Sequence, residues 1–368
     1  MTDERLKLPG YAKASIFVIG LIALLAILYL AKGIIIPVVF AVIIAIVLHP
    51  VVNFFVGMRI NRVIAIAITL FLTFLVLGAF GLLFFSQASR FSESWPVLID
   101  KLTEIFNQTI NWASGYFDIN AHKIHEWFIN AKVELINSSS AAIGKTLITV
   151  GNLVIVLFLV PVYTIMLLFY HPILIEFIHR IFSASNQSQV SQIVTQTKTV
   201  IQRYLIGLVI EAVIVATLNS VALLLLGIEY AILLGIIGAL LNVIPYIGGI
   251  ISVAIFMVVA LVTKSPVYLI YIIVIYSIIQ FMDNHYIVPK IVASKVKINA
   301  LFAIIVVIAG NALWGIPGMF LSIPLLAIVK LICDHIEPLK PWGFLLGDTM
   351  PPLIKLKPFI NKIIKKST

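Results

Sequence analysis

Two short stretches of this chain combine residues that break a helix with residues that can hold a small solute. They are Asn242-Val-Ile-Pro245-Tyr246-Ile-Gly248-Gly249 and Gly310-Asn311-Ala-Leu-Trp314-Gly315-Ile-Pro317-Gly318, and each interrupts a long apolar run. Pro245 and Pro317 remove main-chain donors, while Gly248, Gly249, Gly315 and Gly318 permit tight turns and close backbone approach. Freed amides and carbonyls at the breaks can bind a solute, with Asn242, Tyr246, Gly310, Asn311 and Trp314 beside the path. Close packing of helices through small residues is the competing explanation. An asparagine beside each break favours binding, because packing alone does not require one.

Two acids accompany the breaks. Asp283, flanked by Gln280 and Asn284, closes the apolar run 267–282, and Glu211 lies about a third of the way into the run 204–226. An ionisable side chain inside a membrane helix is costly and is by default a functional-site hypothesis. Asp283 can take a coupling proton or cation, or hydrogen-bond a polyol-like solute; the alternative is a wet charge at a helix end. Glu211 can relay a proton; the alternatives are a helix–helix hydrogen bond or pairing with Arg203, which lies two turns away. Thr217 and Asn219 divide evenly between ligand and helix–helix contact. His122 and His125 share a helix face with Glu126, but no third ligand accompanies them, so no metal site and no cofactor are expected.

The elements that must position these residues are membrane helices. The chain has 368 residues, 62% hydrophobic and 11% charged, with mean hydropathy +1.15. Soluble domains carry roughly 25% charged residues, so this is an all-α integral membrane protein. Spanning runs fall at 14–31, 34–48, 63–85, 147–170, 204–226 and 267–282. The first two are expected to form a tight hairpin at Lys32-Gly33. The insert 86–146 is balanced in charge and reads as a small extracytoplasmic helical unit. Basic residues cluster in the N-terminal tail and in 49–62, 171–203, 283–299 and the C-terminal tail, which places those segments and both termini in the cytoplasm.

Parity then fixes the broken stretches. Both 171–203 and 283–299 are cytoplasmic, so 230–263 must contribute an even number of crossings. A straight helix of that length would run about 50 Å, too long for one span. It should fold back at Pro245–Gly249, and 300–331 should fold back at Gly315–Gly318. With one full helix preceding each hairpin, the two units form an inverted repeat of oppositely oriented hairpins, for about eight membrane elements in all. The expected division is 1–85 (helices one to three), 86–146 (insert), 147–203 (helix four and a cytoplasmic linker), 204–331 (transport core) and 332–368 (basic tail).

The formal charge of +10 does not indicate nucleic acid, since six lysines sit in the tail (Lys340, Lys355, Lys357, Lys362, Lys365, Lys366). Such clusters attract anionic lipid headgroups at about 1 kcal/mol per charge. Membrane lipids are thus the expected basic-tail partner. No Walker motif, Gly-x-Ser-x protease motif or facing pair of membrane carboxylates is apparent, so an enzyme is not expected. A non-transporting scaffold or regulator remains a third class, and broken hairpins are wasteful for it.

At these residues the chain resembles the AI-2E family of bacterial transporters, which includes autoinducer-2 exporters and PerM-like permeases. The resemblance rests on Ile244–Gly249, on Gln280-Phe-Met-Asp283-Asn284-His-Tyr-Ile-Val-Pro289-Lys290, and on Trp314–Met319 continuing to Ile323-Pro324. Pro37 and Leu48-His49-Pro50 are weaker echoes. Gly249 stands where a proline commonly closes the first motif, and Asn299-Ala300 replaces a frequent His-Pro. The resemblance implies a multi-pass permease of the bacterial inner membrane, a homo-oligomer. It implies a small polar solute such as the quorum-sensing signal autoinducer-2, with H+ or Na+ as coupling ion, or else Na+/H+ antiport.

Overall fold

The structure is a computed structural model that describes residues 9–117, 158–183, 186–244, 247–291 and 298–348. Pro245 and Tyr246, His122 and His125, the insert beyond residue 117, Lys295 and Lys297, and the tail from residue 349 lie outside the described residues. Apart from an isolated bridge between Ile298 and Gly347, regular structure among the described residues is helical. In hydrocarbon a backbone must satisfy its own hydrogen bonds, and a lone apolar segment does so only as a helix.

Helices α1 (Gly10–Leu30) and α2 (Lys32–Gly57) are joined by Ala31 alone. Ala31 N–H donates to Ile27 O, and Ile35 N–H donates to Ala31 O, so helical bonding continues through the junction. Antiparallel helices need a connection of two to five residues. The junction is therefore a bend, a correction to the expected hairpin. Helix α3 (Arg62–Phe117) is continuous over 56 residues, about 84 Å at 1.5 Å per residue. A ~30 Å apolar layer holds less than half of that. The third span and the beginning of the insert are one rod, and the boundary at 85/86 falls inside it.

Helix α4 (Phe158–Ile181) is followed by α5 (Gln187–Leu225), which joins the polar linker and the fourth run's successor in one 39-residue helix. The boundary at 203/204 is thus also mid-helix. The first broken stretch folds back as α6 (Ala231–Asn242) and α7 (Ile247–Thr263). The second folds back as α10 (Ala300–Trp314) and α11 (Ile316–His335). Between them run α8 (Val267–Met282), a π turn (Asp283–Ile287) and α9 (Val288–Ile291). A short α12 (Lys340–Leu346) closes the described chain. Among the described residues, six helices are long and apolar enough to cross a membrane, and the arms α6, α7 and α10 are shorter apolar helices.

Matching serines hold the two hairpins closed. Ser252 Oγ lies 2.7 Å from Gly248 O on its own helix and 3.2 Å from Gly238 O on the facing arm. Ser322 Oγ lies 2.6 Å from Gly318 O and 2.8 Å from Val306 O across the second hairpin. The spacing Gly-x3-Ser recurs in both second arms.

Helix α5 orders the two bases. At its start, Gln189 Nε2 donates to His335 O, the last residue of α11. At its far end, Gly227 lies under the Lys264 side chain, which follows α7. Phe91, on the distal part of α3, stacks edge-on against Tyr230 at that same end (5.2 Å between centroids). An apolar cluster of Ile43, Ile201, Leu205, Val307 and Leu321 joins α2, α5, α10 and α11, and both Ile244 and Trp314 pack against it. The tips of the two hairpins thus share one core.

Candidate functional site

The site begins with a buried stripe on α5: Tyr204, Gly207, Glu211, Val215 and Asn219 recur at helical spacing on its inward face. Glu211 is 7% exposed. It faces Asn242, the last residue of α6, where the helix stops and its side chain is free to turn across the break. Asn242 Nδ2 lies 2.8 Å from Asp283 Oδ2 and 3.5 Å from Glu211 Oε1. One amide, with two N–H bonds to give, therefore sits between two carboxyl groups from two different helices.

Asp283 is 2% exposed, and its second oxygen, Oδ1, is buried without a partner. The alternative of a wet charge at a helix end does not hold, since the residue is buried and the helix does not stop there. The α8 helix continues through a π turn into α9, with Val288 N–H reaching Asp283 O. Pro289 follows this wide turn; in a regular α-turn its ring would clash with the carbonyl of His285. The widening resolves that conflict, and such turns recur at functional sites. The expectation that no second carboxylate faces Asp283 is likewise corrected by Glu211.

Tyr276 was not singled out from the sequence. Its hydroxyl donates to Gly249 O at 2.8 Å, and Gly249 faces Tyr276, Gln280 and Asn242. Tyr276, Gln280 and Asp283 lie at i, i+4 and i+7 on one face of α8, a signal that was available. Asn284, by contrast, is exposed, and its 3.5 Å contact with Gln280 Nε2 is on the surface.

Glycines at the tips do two different things. A Cβ on Gly248 would sit 1.7 Å from Leu241 O, and one on Gly318 would sit 2.0 Å from Gly310 O. These glycines let the arms cross, which is the small-residue packing alternative. Gly315, at φ 67° and ψ −145°, has open space around it and supplies the turn itself. Pro317 enters the first turn of α11, where its missing N–H costs nothing. Asn311 is exposed, and Trp314 Nε1 donates to Leu28 O at 3.0 Å, tying α1 to the second tip. The second set does not hydrogen-bond to the Glu211–Asn242–Asp283 group among the described residues.

Chemically, two carboxyl groups and an amide in apolar surroundings cannot be left with both acids ionised and unpaired. The arrangement can hold a proton or a small cation, and its amide and hydroxyl can orient a polar solute. No group of three or more His, Cys, Asp or Glu capable of holding a metal occurs among the described residues. Glu211 does not pair with Arg203, which is exposed.

The AI-2E family transporter profile matches residues 18–337. The chain is 24% identical over 319 residues to YrrI of Bacillus subtilis (strain 168), covering 83% of this chain and 87% of that protein. It is 24% identical over 288 residues to YueF of the same organism, covering 71% and 75%. It is 22% identical over 339 residues to YhhT of Escherichia coli (strain K12), covering 90% and 93%. A profile match across most of the chain, on a scaffold of apolar helices long enough to span a bilayer, identifies it as a multi-pass membrane protein that belongs to the AI-2E family of transporters.

Proposed function

We propose that this chain is a secondary transporter that exports a small polar organic molecule, autoinducer-2-like, across the bacterial inner membrane, with a proton as coupling ion. The observation that carries the reading is the Asn242 amide held between Asp283 and Glu211. Three elements of two successive units meet there, so protonation of the acids and the relative position of those units are linked. When one acid gives up its proton, the amide loses its place between two partners of equal kind. That couples a charge change to a change in packing.

The bases of the hairpins lie at opposite ends of α5, which supports an inverted repeat whose hairpins enter from opposite leaflets. Basic loops support cytoplasmic termini. An elevator-like motion of the core 204–331 against the rest fits this plan, with one adjustment. The moving body begins at Gln187, since α5 is a single rod. Apolar faces of α1 and α3 left open in the single chain (Phe17, Ile22, Phe71, Leu75) suit lipid or a homo-oligomeric contact.

Na+/H+ antiport is the second reading. It is favoured by the unpartnered Asp283 Oδ1, an oxygen available to a cation. A carboxyl dyad protease is not favoured, because Asn242 occupies the gap where two such acids would share a proton directly. Reconstituted protein separates the transport readings. Solute efflux abolished by an uncoupler indicates proton-coupled export, whereas a sodium-driven pH change without organic solute indicates antiport.

A further inference from the structure

A second polar cluster lies at the other end of α5 from the Gly227 turn, where α2, α3, α4 and α5 meet. His49 is 8% exposed, and its Nδ1 is approached by Lys198 Nζ at 3.0 Å and by Asn53 Nδ2 at 3.2 Å. The His171 ring lies 4.5 Å from the His49 ring, centroid to centroid. Arg62 donates one terminal N–H to Leu168 O at 2.8 Å, and its buried Nε has no partner. Every ionisable group in this cluster is basic. The ion pairs formed among the described residues are elsewhere: Arg180–Glu176, Lys330–Asp334 and Lys340–Glu337.

From this cluster we infer a binding site for a phosphate-bearing anion, formed by Arg62, Lys198, His49 and His171. Two fixed positive charges, half-buried on packed helices without a carboxylate, repel one another unless an anion joins them. A guanidinium with one arm anchored on Leu168 O keeps further N–H donors of the kind that phosphate oxygens accept. Neutral His49, its Nδ1 accepting from Lys198, leaves Nε2–H as a further donor. The donors come from four separate elements, so occupancy would stitch α5, the long rod of the core, to the α2–α4 bundle.

Position argues for the source. His49 follows the run 34–48, His171 follows 147–170, and Arg62 precedes 63–85, so the donors stand at the depth of lipid headgroups. The phosphate of an anionic phospholipid is the occupant the geometry favours, and a free phosphate ester or inorganic phosphate offers the same chemistry.

Thermal unfolding of the purified full chain in neutral detergent tests this. Titrations use phosphatidylglycerol, phosphatidylcholine and inorganic phosphate, with wild type, Lys198→Gln, His171→Gln and the charge-preserving Lys198→Arg. The site predicts stabilisation by phosphatidylglycerol beyond that by phosphatidylcholine. Apparent affinity should fall about fivefold in Lys198→Gln and be largely restored in Lys198→Arg. Stabilisation by inorganic phosphate with the same variant pattern, and none by phosphatidylglycerol, supports the site and assigns it to a soluble anion. No stabilisation by either, or an equal response in wild type and Lys198→Gln, overturns it. Because the basic tail also attracts anionic lipid, the variant difference is the deciding quantity. Should Lys198→Gln fail to fold, His171→Gln supplies the same comparison.

Discussion

The Asn242 side chain donates to Asp283 across 2.8 Å, joining the end of a broken hairpin arm to a buried acid in the middle of the next long helix. Neither residue is near the other in sequence. Their contact places a titratable oxygen beside the break in the main chain of the first hairpin. Glu211 completes the arrangement from a third helix.

Removing the amide leaves a buried carboxyl without its donor. Asn242→Ala is expected to destabilise the protein by about 1–3 kcal/mol, read as a lower midpoint of thermal unfolding in detergent. Asn242→Gln retains the amide on a longer stem and should lose less. If Asn242→Ala unfolds with an unchanged midpoint, the hydrogen bond is not made.

Two glycines are expected to be intolerant for reasons of space. Gly248→Ala and Gly318→Ala each drive a methyl group into facing main chain, at 1.7 and 2.0 Å. Overpacking costs roughly 1–3 kcal/mol and more where backbone must move. Gly78→Ala, with nothing within 4 Å, is the matched control and should be neutral. Equal yields of folded protein for all three would show that the arms are not in contact.

Gly315 should be intolerant for a different reason. Its φ of 67° with ψ −145° is a region that side chains avoid, although nothing crowds it. Gly315→Ala is expected to cost about 1–3 kcal/mol through strain alone. Replacing it by another small residue should not relieve the loss. A neutral Gly315→Ser would place the turn elsewhere.

Trp314 links the second tip to α1 through its indole N–H and Leu28 O. Trp314→Phe keeps the ring and deletes the donor, at a cost of about 1 kcal/mol. Hydrogen exchange in α1 should rise in that variant while α10 and α11 stay protected. No change in α1 would show that the helix is held by packing alone.

Much of the fold was legible because proline and glycine punctuate an otherwise apolar chain. Pro245, Gly248, Gly315 and Pro317 marked both reversals, and charge parity demanded them. Continuity of α3 and α5 was not legible in the same way. Composition changes from apolar to amphipathic near residues 85 and 203, where the chain leaves hydrocarbon, but nothing there stops a helix. The bend at Ala31 was misread because Lys32-Gly33 looks like a turn, and helical hydrogen bonds run through it.

The site was half legible. Asn242, Asp283 and Glu211 were each recognised as polar groups in the wrong solvent, which needs only the local sequence. Their meeting depends on how α5, α6 and α8 pack, which no local spacing encodes. Asp283 was placed at a helix end because the apolar run 267–282 stops there, and the π turn is what lets the helix continue. Tyr276 could have been found from its register with Gln280 and Asp283.

The central claim is that the Glu211–Asn242–Asp283 group carries the coupling ion. The most direct measurement is the internal pH of proteoliposomes bearing a trapped pH dye, after imposing first an autoinducer-2 gradient and then a Na+ gradient, for wild type, Asp283→Asn and Glu211→Gln. The account predicts proton movement in wild type under one gradient, and its loss in Asp283→Asn, whose side-chain oxygen can still accept from Asn242. Wild-type liposomes indistinguishable from protein-free ones under both gradients, or undiminished proton movement in Asp283→Asn, would contradict it.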